Sequence, residues 1–88
     1  MAYTIYILYS QKDKGLYVGC TSNISSRMQR HSSGQVPATK HRRPITLIHT
    51  ETFEDKAEAF NRERFLKSLW GSREKKKIKD IYLRSLDV

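Results

Sequence analysis

Sulfur is scarce in this 88-residue sequence, with Cys20 as its sole cysteine. One thiol excludes an intrachain disulfide, and a thiolate zinc site needs more sulfur than this. His31, His41 and His49 stand ten and eight residues apart, which matches no helical metal pair. Structural zinc is therefore not expected. No run approaches the ~18 apolar residues of a membrane span, and no basic leader precedes an apolar stretch. A reduced, cytoplasmic chain with no membrane association is the expectation. Four glycines and two prolines form no linker or low-complexity tract, and no segment repeats. At this length residues 1–88 make a single domain. Apolar residues are only 38%, yet three Phe, five Tyr and one Trp argue against disorder.

Acid is also in short supply where base is plentiful. The formal net charge is +8, and it is unevenly placed. Residues 27–43 carry Arg27, Arg30, Lys40, Arg42 and Arg43 and no carboxylate. Glu51, Glu54, Asp55 and Glu58 follow as an acidic patch, and a second basic block runs from Arg62 to Arg84. Two basic blocks around an acidic one give a polar field with an anion-facing side. Nucleic acid is the commonest large polyanion, and phosphate neutralisation drives its binding. The lysine-rich tail (Lys75, Lys76, Lys77, Lys79) reads as solvated surface. The 27–43 block, broken by Gly34 and Pro37 and closed by Pro44, reads as a loop held toward phosphate.

Local patterns give the elements. Residues 3–9 are β-branched and aromatic, hence a strand, and Gln11 to Gly15 is turn chemistry. Leu16 to Cys20 completes a hairpin. Alternation sorts Ile5, Ile7, Leu16, Val18 and Cys20 onto one face, and Tyr6, Leu8, Tyr17 and Gly19 onto the other. A register with Tyr6 beside Gly19 satisfies both strands, since glycine leaves room for the ring. Ser22-Asn23 signals a helix over 24–33 with Gly34 as its stop. Ile45 to Phe53 reads as a third strand. Asp55 caps a helix from Lys56 to about Trp70, and a third, basic helix runs from Arg73 to Leu86. The order ββαβαα implies a small α/β sandwich, helices packed on a three-stranded antiparallel sheet.

Two positions break the amphipathic pattern. At 100° per residue Ala59, Phe60, Leu66 and Trp70 form an apolar arc, and Glu63 falls near its centre, with Lys67 one turn on. A carboxylate on a buried face needs a partner. Glu63 is either an ion pair with Lys67 that snorkels to the edge of the sheet, or a metal ligand or catalytic acid; spacing leaves both open. Arg27 and His31, four apart, share a face of the first helix. Two phenols (Tyr6, Tyr17), a guanidinium, an imidazole and a lone carboxylate from different elements could converge on one sheet face. Together they can supply a base, an anion clamp and a metal site.

This constellation resembles the GIY-YIG nuclease family, in particular its small stand-alone bacterial members, from Tyr3 to about Lys77. Thr4-Ile5-Tyr6 and Tyr17-Val18-Gly19 stand at the two motif triplets, ten residues apart between the tyrosines. Arg27 to His31 looks like the family's arginine helix. Thr39 to Pro44 matches the approach to the third strand. Glu58 to Glu63, then Leu66-Lys67, is similar to the helix with the metal-binding glutamate. The resemblance implies phosphodiester hydrolysis with a single divalent cation, Mg²⁺ or Mn²⁺. Tyr17, or Tyr6, would take the proton of the attacking water, and the other tyrosine would position water or phosphate. Arg27 would stabilise the pentacoordinate phosphate, His31 would assist the base, and Glu63 would hold the metal. Thr4 replaces the glycine of the first triplet, and lysines occupy the stretch where several members carry an asparagine.

The leading expectation is a metal-dependent endonuclease on DNA, weakly sequence-specific or structure-selective, in repair or recombination. RNA is the other nucleic-acid substrate, and the sequence leaves protein partners open. Arg30, Thr39, Lys40, Arg42, Arg43 and Lys67 are the expected nucleic-acid contacts. A nucleic-acid-binding module with little turnover is the alternative, and a structural domain with Glu63 merely salt-bridged is a third.

Overall fold

The central strand organises the molecule. In the computed structural model, which describes residues 2–86, β1 (Tyr3–Ser10) lies between β2 (Leu16–Thr21) and β3 (Ile45–Phe53), antiparallel to both. Being covered on both faces, β1 is apolar without alternation, and Ile5 through Ser10 are all buried. The β1–β2 register places Tyr6 opposite Gly19, as the alternation requires. Between β1 and β3 the register shifts at Ile7/Leu8, so Ile48 bulges out of the ladder and packs on the core.

Among the described residues there are three α-helices: α1 (Ile24–Ser32), α2 (Lys56–Lys67) and α3 (Ser72–Ser85). Asn23 caps α1 by accepting from the Ser26 amide, and Asp55 caps α2 through the Ala57 amide. Ala59 and Leu66 of α2 close over Ile5, Ile7 and Val18, with Ile78 of α3 beside them. Each fully buried Leu or Ile contributes about 1.5–3 kcal/mol, and this small cluster is the core. Tyr9 on the same face packs its ring, tilted by 50°, against Tyr82 of α3. At the β3 side Arg62 bonds both oxygens of Glu51 and of Glu74, and His49 adds a bond to Glu51. This network ties β3, α2 and α3 together. No described helix is long and apolar enough to cross a membrane.

The second helix is shorter than its hydrophobic arc suggests. It ends at Lys67, because Ser68 turns to an extended conformation and its hydroxyl bonds the Phe65 carbonyl. A 3-10 turn, Leu69–Gly71, leads into α3. Gly71 packs so closely on α2 that a Cβ there would lie 2.2 Å from the Phe65 carbonyl oxygen. Consequently Trp70 is exposed, and Phe60 is too. Only the i, i+7 pair Ala59 and Leu66 is fully covered by the sheet, a narrower stripe than the 100° projection predicts.

Candidate active site

The face of the sheet opposite α2 carries Tyr6 and Tyr17, and α1 and the segment after it cover that face. Gly19 creates the space: the Tyr6 ring passes over it toward the β2 edge, and a Cβ there would lie 2.3 Å from the phenol carbon and oxygen. The Tyr6 hydroxyl meets His31 Nε2 at 3.1 Å, and Arg27 Nη1 approaches it at 3.5 Å. Tyr17 stands against the same imidazole, ring centroids 5.4 Å apart, and 6.4 Å from the ring of Tyr6. Tyr6 and His31 are fully buried, whereas Tyr17 and Arg27 are half-buried at the rim.

Burial governs the ionisation of the inner pair. It pushes the Tyr6 phenol above its usual value, opposed by the hydrogen bond from Arg27. It pushes His31 down, and the positive charges of Arg27 and Arg30 push the same way. The His31 Nδ1 lies 2.7 Å from the Thr39 hydroxyl. A neutral imidazole with one donor and one acceptor nitrogen serves two hydroxyls, and burying the charged form here is costly.

Stability should therefore depend on His31 at mildly acidic pH. The unfolded chain binds the proton near pH ~6.5, and the folded chain only at lower pH. The contribution of neutral His31 is intact above that value and is lost as pH falls below it toward the depressed folded pKa. The slope cannot exceed about 1.4 kcal/mol per pH unit. Urea midpoints between pH 7.5 and 5.5 should fall more steeply for the wild type than for His31→Gln. Parallel curves would mean that His31 is not held neutral.

Glu63 does not share the tyrosine face. It belongs to α2, the layer packed on the other side of the sheet, and it stands at the edge strand β2, where its charge is felt by both Cys20 and Tyr6. Four residues thus converge on one face, and the carboxylate approaches from the opposite layer at the rim where the Tyr6 ring points. Its side chain is 22% exposed, and Lys67 Nζ lies 3.0 Å from Oε2. Among the described residues no group of three or more His, Cys, Asp or Glu could cage a metal.

The basic segment is more tightly held than a loop extended toward phosphate. Thr39, expected among the nucleic-acid contacts, is fully buried under His31; its hydroxyl positions the imidazole and cannot reach a ligand. A 3-10 turn, Lys40–Arg42, follows it. Arg42 bonds both oxygens of Asp13 in the hairpin turn, the closer contact at 2.7 Å. Arg43 donates to the Ser32 carbonyl at the end of α1 and to the Lys40 carbonyl. These two arginines hold the fold, so replacing them does not isolate phosphate binding. Arg30 and Lys40 are exposed, and among the described residues neither has an ion-pair partner. Lys40 lines a pocket of about 530 Å³ with Lys12, His41 and Arg43 and no carboxylate. Lys12 had no motif to mark it, and only its adjacency to Asp13, the acid that draws Arg42 in, could have pointed there.

The fold is a three-stranded antiparallel sheet with an arginine–histidine helix on one face and a glutamate helix on the other. The chain matches the GIY-YIG catalytic domain over residues 2–79, and it belongs to that family. Its relatives include a UPF0213 protein of Natronomonas pharaonis, 36% identical over 77 residues, covering 86% of this chain and 89% of that protein. A UPF0213 protein of Staphylococcus saprophyticus is 42% identical over 73 residues, covering 82% and 85%. The solution structure of a UPF0213 protein from Bacillus halodurans superposes with a TM-score of 0.55 at 32% identity. That match covers 92% of this chain and 85% of the other, so the sheet-and-helix architecture is shared.

Proposed function

We propose that the chain is a divalent-metal-dependent endonuclease that hydrolyses phosphodiester bonds in DNA. The observation that carries this reading is the grouping of Tyr6, Tyr17, Arg27 and His31 on one face with Glu63 at its rim. Tyr17 is the base: it is half-buried and can meet an attacking water, whereas Tyr6 is sealed and its phenol is pushed above the usual value. Tyr6 is a positioning residue that locks Arg27 and His31 relative to each other. Arg27, whose guanidinium makes one hydrogen bond among the described residues, clamps the phosphoryl oxygens as charge grows on them.

A lone carboxylate, with no cage of three or more His, Cys, Asp or Glu among the described residues, suits only a hard cation that keeps most of its waters and takes its other ligands from phosphate, as Mg²⁺ or Mn²⁺ does. Glu63 would hold it. Bound there, such a cation supplies positive charge to the phosphoryl and leaving oxygens. The second reading, a nucleic-acid-binding module with little turnover, is favoured by one observation: Lys67 already neutralises the Glu63 carboxylate.

Purified protein incubated with plasmid, single-stranded and branched DNA, with and without Mg²⁺ or Mn²⁺, separates the two. Arg27→Lys should lower single-turnover cleavage by about 10²-fold or more, on the scale of losing one preorganised donor. DNA affinity should fall far less, because the charge remains. Equal losses in both would make Arg27 an ordinary phosphate anchor. Binding without cleavage by the wild type would establish the second reading.

A further inference from the structure

The largest apolar side chain in the protein contributes almost nothing to its fold. Trp70 is 84% exposed and its neighbour Leu69 is 87% exposed, both on the 3-10 turn between α2 and α3. A domain with so small a core has every physical reason to bury an indole. The turn prevents it, and it is rigidly made. The Ser68 hydroxyl bonds the Phe65 carbonyl, the Ser72 hydroxyl bonds the Leu69 carbonyl at 2.7 Å, and Gly71 is pressed against the end of α2. Leu69 and Trp70 are therefore held out in water by a preformed scaffold.

Their surroundings identify the occupant. Arg64 and Lys67 precede the turn, and Arg73, Lys75, Lys76 and Lys77 follow it. The one acid in this stretch, Glu74, is held by Arg62. An aromatic and an aliphatic prong beside cations of which, among the described residues, only Lys67 has an ion-pair partner suit a polyanion that also presents flat apolar faces. Nucleic acid with unpaired bases has that chemistry, because every base offers a π-face once it leaves the stack. An intact duplex hides those faces. Placement agrees: the turn that carries Trp70 directly follows the end of α2, the helix that carries Glu63.

We propose that Trp70, with Leu69 beside it, stacks on unpaired bases next to the scissile phosphate, so that this turn selects single-stranded or distorted nucleic acid over regular duplex. The proposal deepens the nuclease reading and rests on it for the ligand class. It makes Trp70 a specificity-determining residue with no part in bond cleavage.

Trp70 is the only tryptophan, so the protein's indole emission reports on this position alone. The wild-type protein is titrated in EDTA with a single strand, a blunt duplex and a branched duplex, each end-labelled so that anisotropy gives binding in parallel. Indole emission should be strongly quenched, and shielded from iodide, by the single strand and the branched DNA, and little affected by the duplex. Trp70→Ala should weaken single-strand affinity by about tenfold and duplex affinity less than twofold, while Trp70→Phe keeps most of the single-strand affinity. The melting temperature of Trp70→Ala should match the wild type, since the side chain is exposed.

Binding by anisotropy with unchanged indole emission would overturn the stacking proposal and leave the nuclease reading standing. Absence of binding to every oligonucleotide would remove both. Indole shielding by anionic phosphatidylserine vesicles, or by raising protein concentration, at equal or greater strength would reassign the surface to lipid or to a second copy and overturn the proposal.

Discussion

Glu63→Gln should abolish metal-dependent cleavage and leave the folded protein nearly as stable as before. The pair Glu63–Lys67 lies at the surface, with Lys67 half exposed, so its loss costs no more than about 1 kcal/mol. Gln keeps the volume and an acceptor oxygen, so the packing of α2 on the sheet through Ala59 and Leu66 is untouched. The negative charge is what disappears. If that charge holds the cation, several kcal/mol of transition-state stabilisation goes with it, a loss of 10²- to 10³-fold or more. Mn²⁺ titration followed by electron paramagnetic resonance gives an independent readout, and the mutant should lose the site that the wild type shows. Lys67→Ala should act in the opposite sense and tighten Mn²⁺ binding, because the ammonium competes for the same carboxylate. A Glu63→Gln protein that cleaves at the wild-type rate would return Glu63 to the role of a surface ion-pair partner.

The elements that local pattern specifies were legible, and so was the register. Turn chemistry from Gln11 to Gly15, capping by Asn23 and Asp55 and the β-branched third strand all act over a few residues, where sequence and structure meet directly. The pairing of Tyr6 with Gly19 was legible for a steric reason: only a residue without a side chain can sit beneath that ring. What sequence could not express is commitment at a distance. Arg42 reads as a free cation until Asp13, 29 residues away, closes on it. Thr39 reads as a loop hydroxyl until His31 is placed above it. The Glu51–Arg62–Glu74 network joins three elements and follows no periodicity.

Trp70 and Glu63 depart from the projection for different reasons. A helical projection assumes that the helix continues, and Trp70 belongs to a face that ends at Lys67. For Glu63 the projection leaves open an ion pair with Lys67 at the edge of the sheet or a carboxylate that joins the tyrosines on one face, and the pair is present. The helix lies on the opposite layer, and Glu63 stands at the sheet edge. The residue types of the candidate site could be read from sequence; the side from which each one enters required the packing of α2.

Gly19→Ala should damage both the stability of this protein and its candidate site. The new Cβ would lie 2.3 Å from the Tyr6 phenol carbon and oxygen, closer than real side chains come. Tyr6 cannot yield, because His31 packs against its edge and its ring is fully buried. Either the β1–β2 pair parts at that step or the ring is driven out of its site. Overpacking of this kind costs about 1–3 kcal/mol. Loss of the Tyr6–His31 bond leaves a buried imidazole nitrogen unpaired, at about 1–3 kcal/mol more. For a domain of this size each kcal/mol is about 4–8 °C, so the melting temperature should fall by roughly 10 °C or more. Cleavage should fall with it even well below the melt, since Arg27 loses the phenol that orients it. The pairing can be isolated by a double-mutant cycle with Tyr6→Leu, which removes the ring. If the clash is the cause, Gly19→Ala in the Tyr6→Leu background should cost little further stability, and the double mutant should remain inactive. A Gly19→Ala protein that melts within ~2 °C of the wild type would show that the ring has room to move, and that the Tyr6–His31–Arg27 arrangement is not rigidly set by the hairpin.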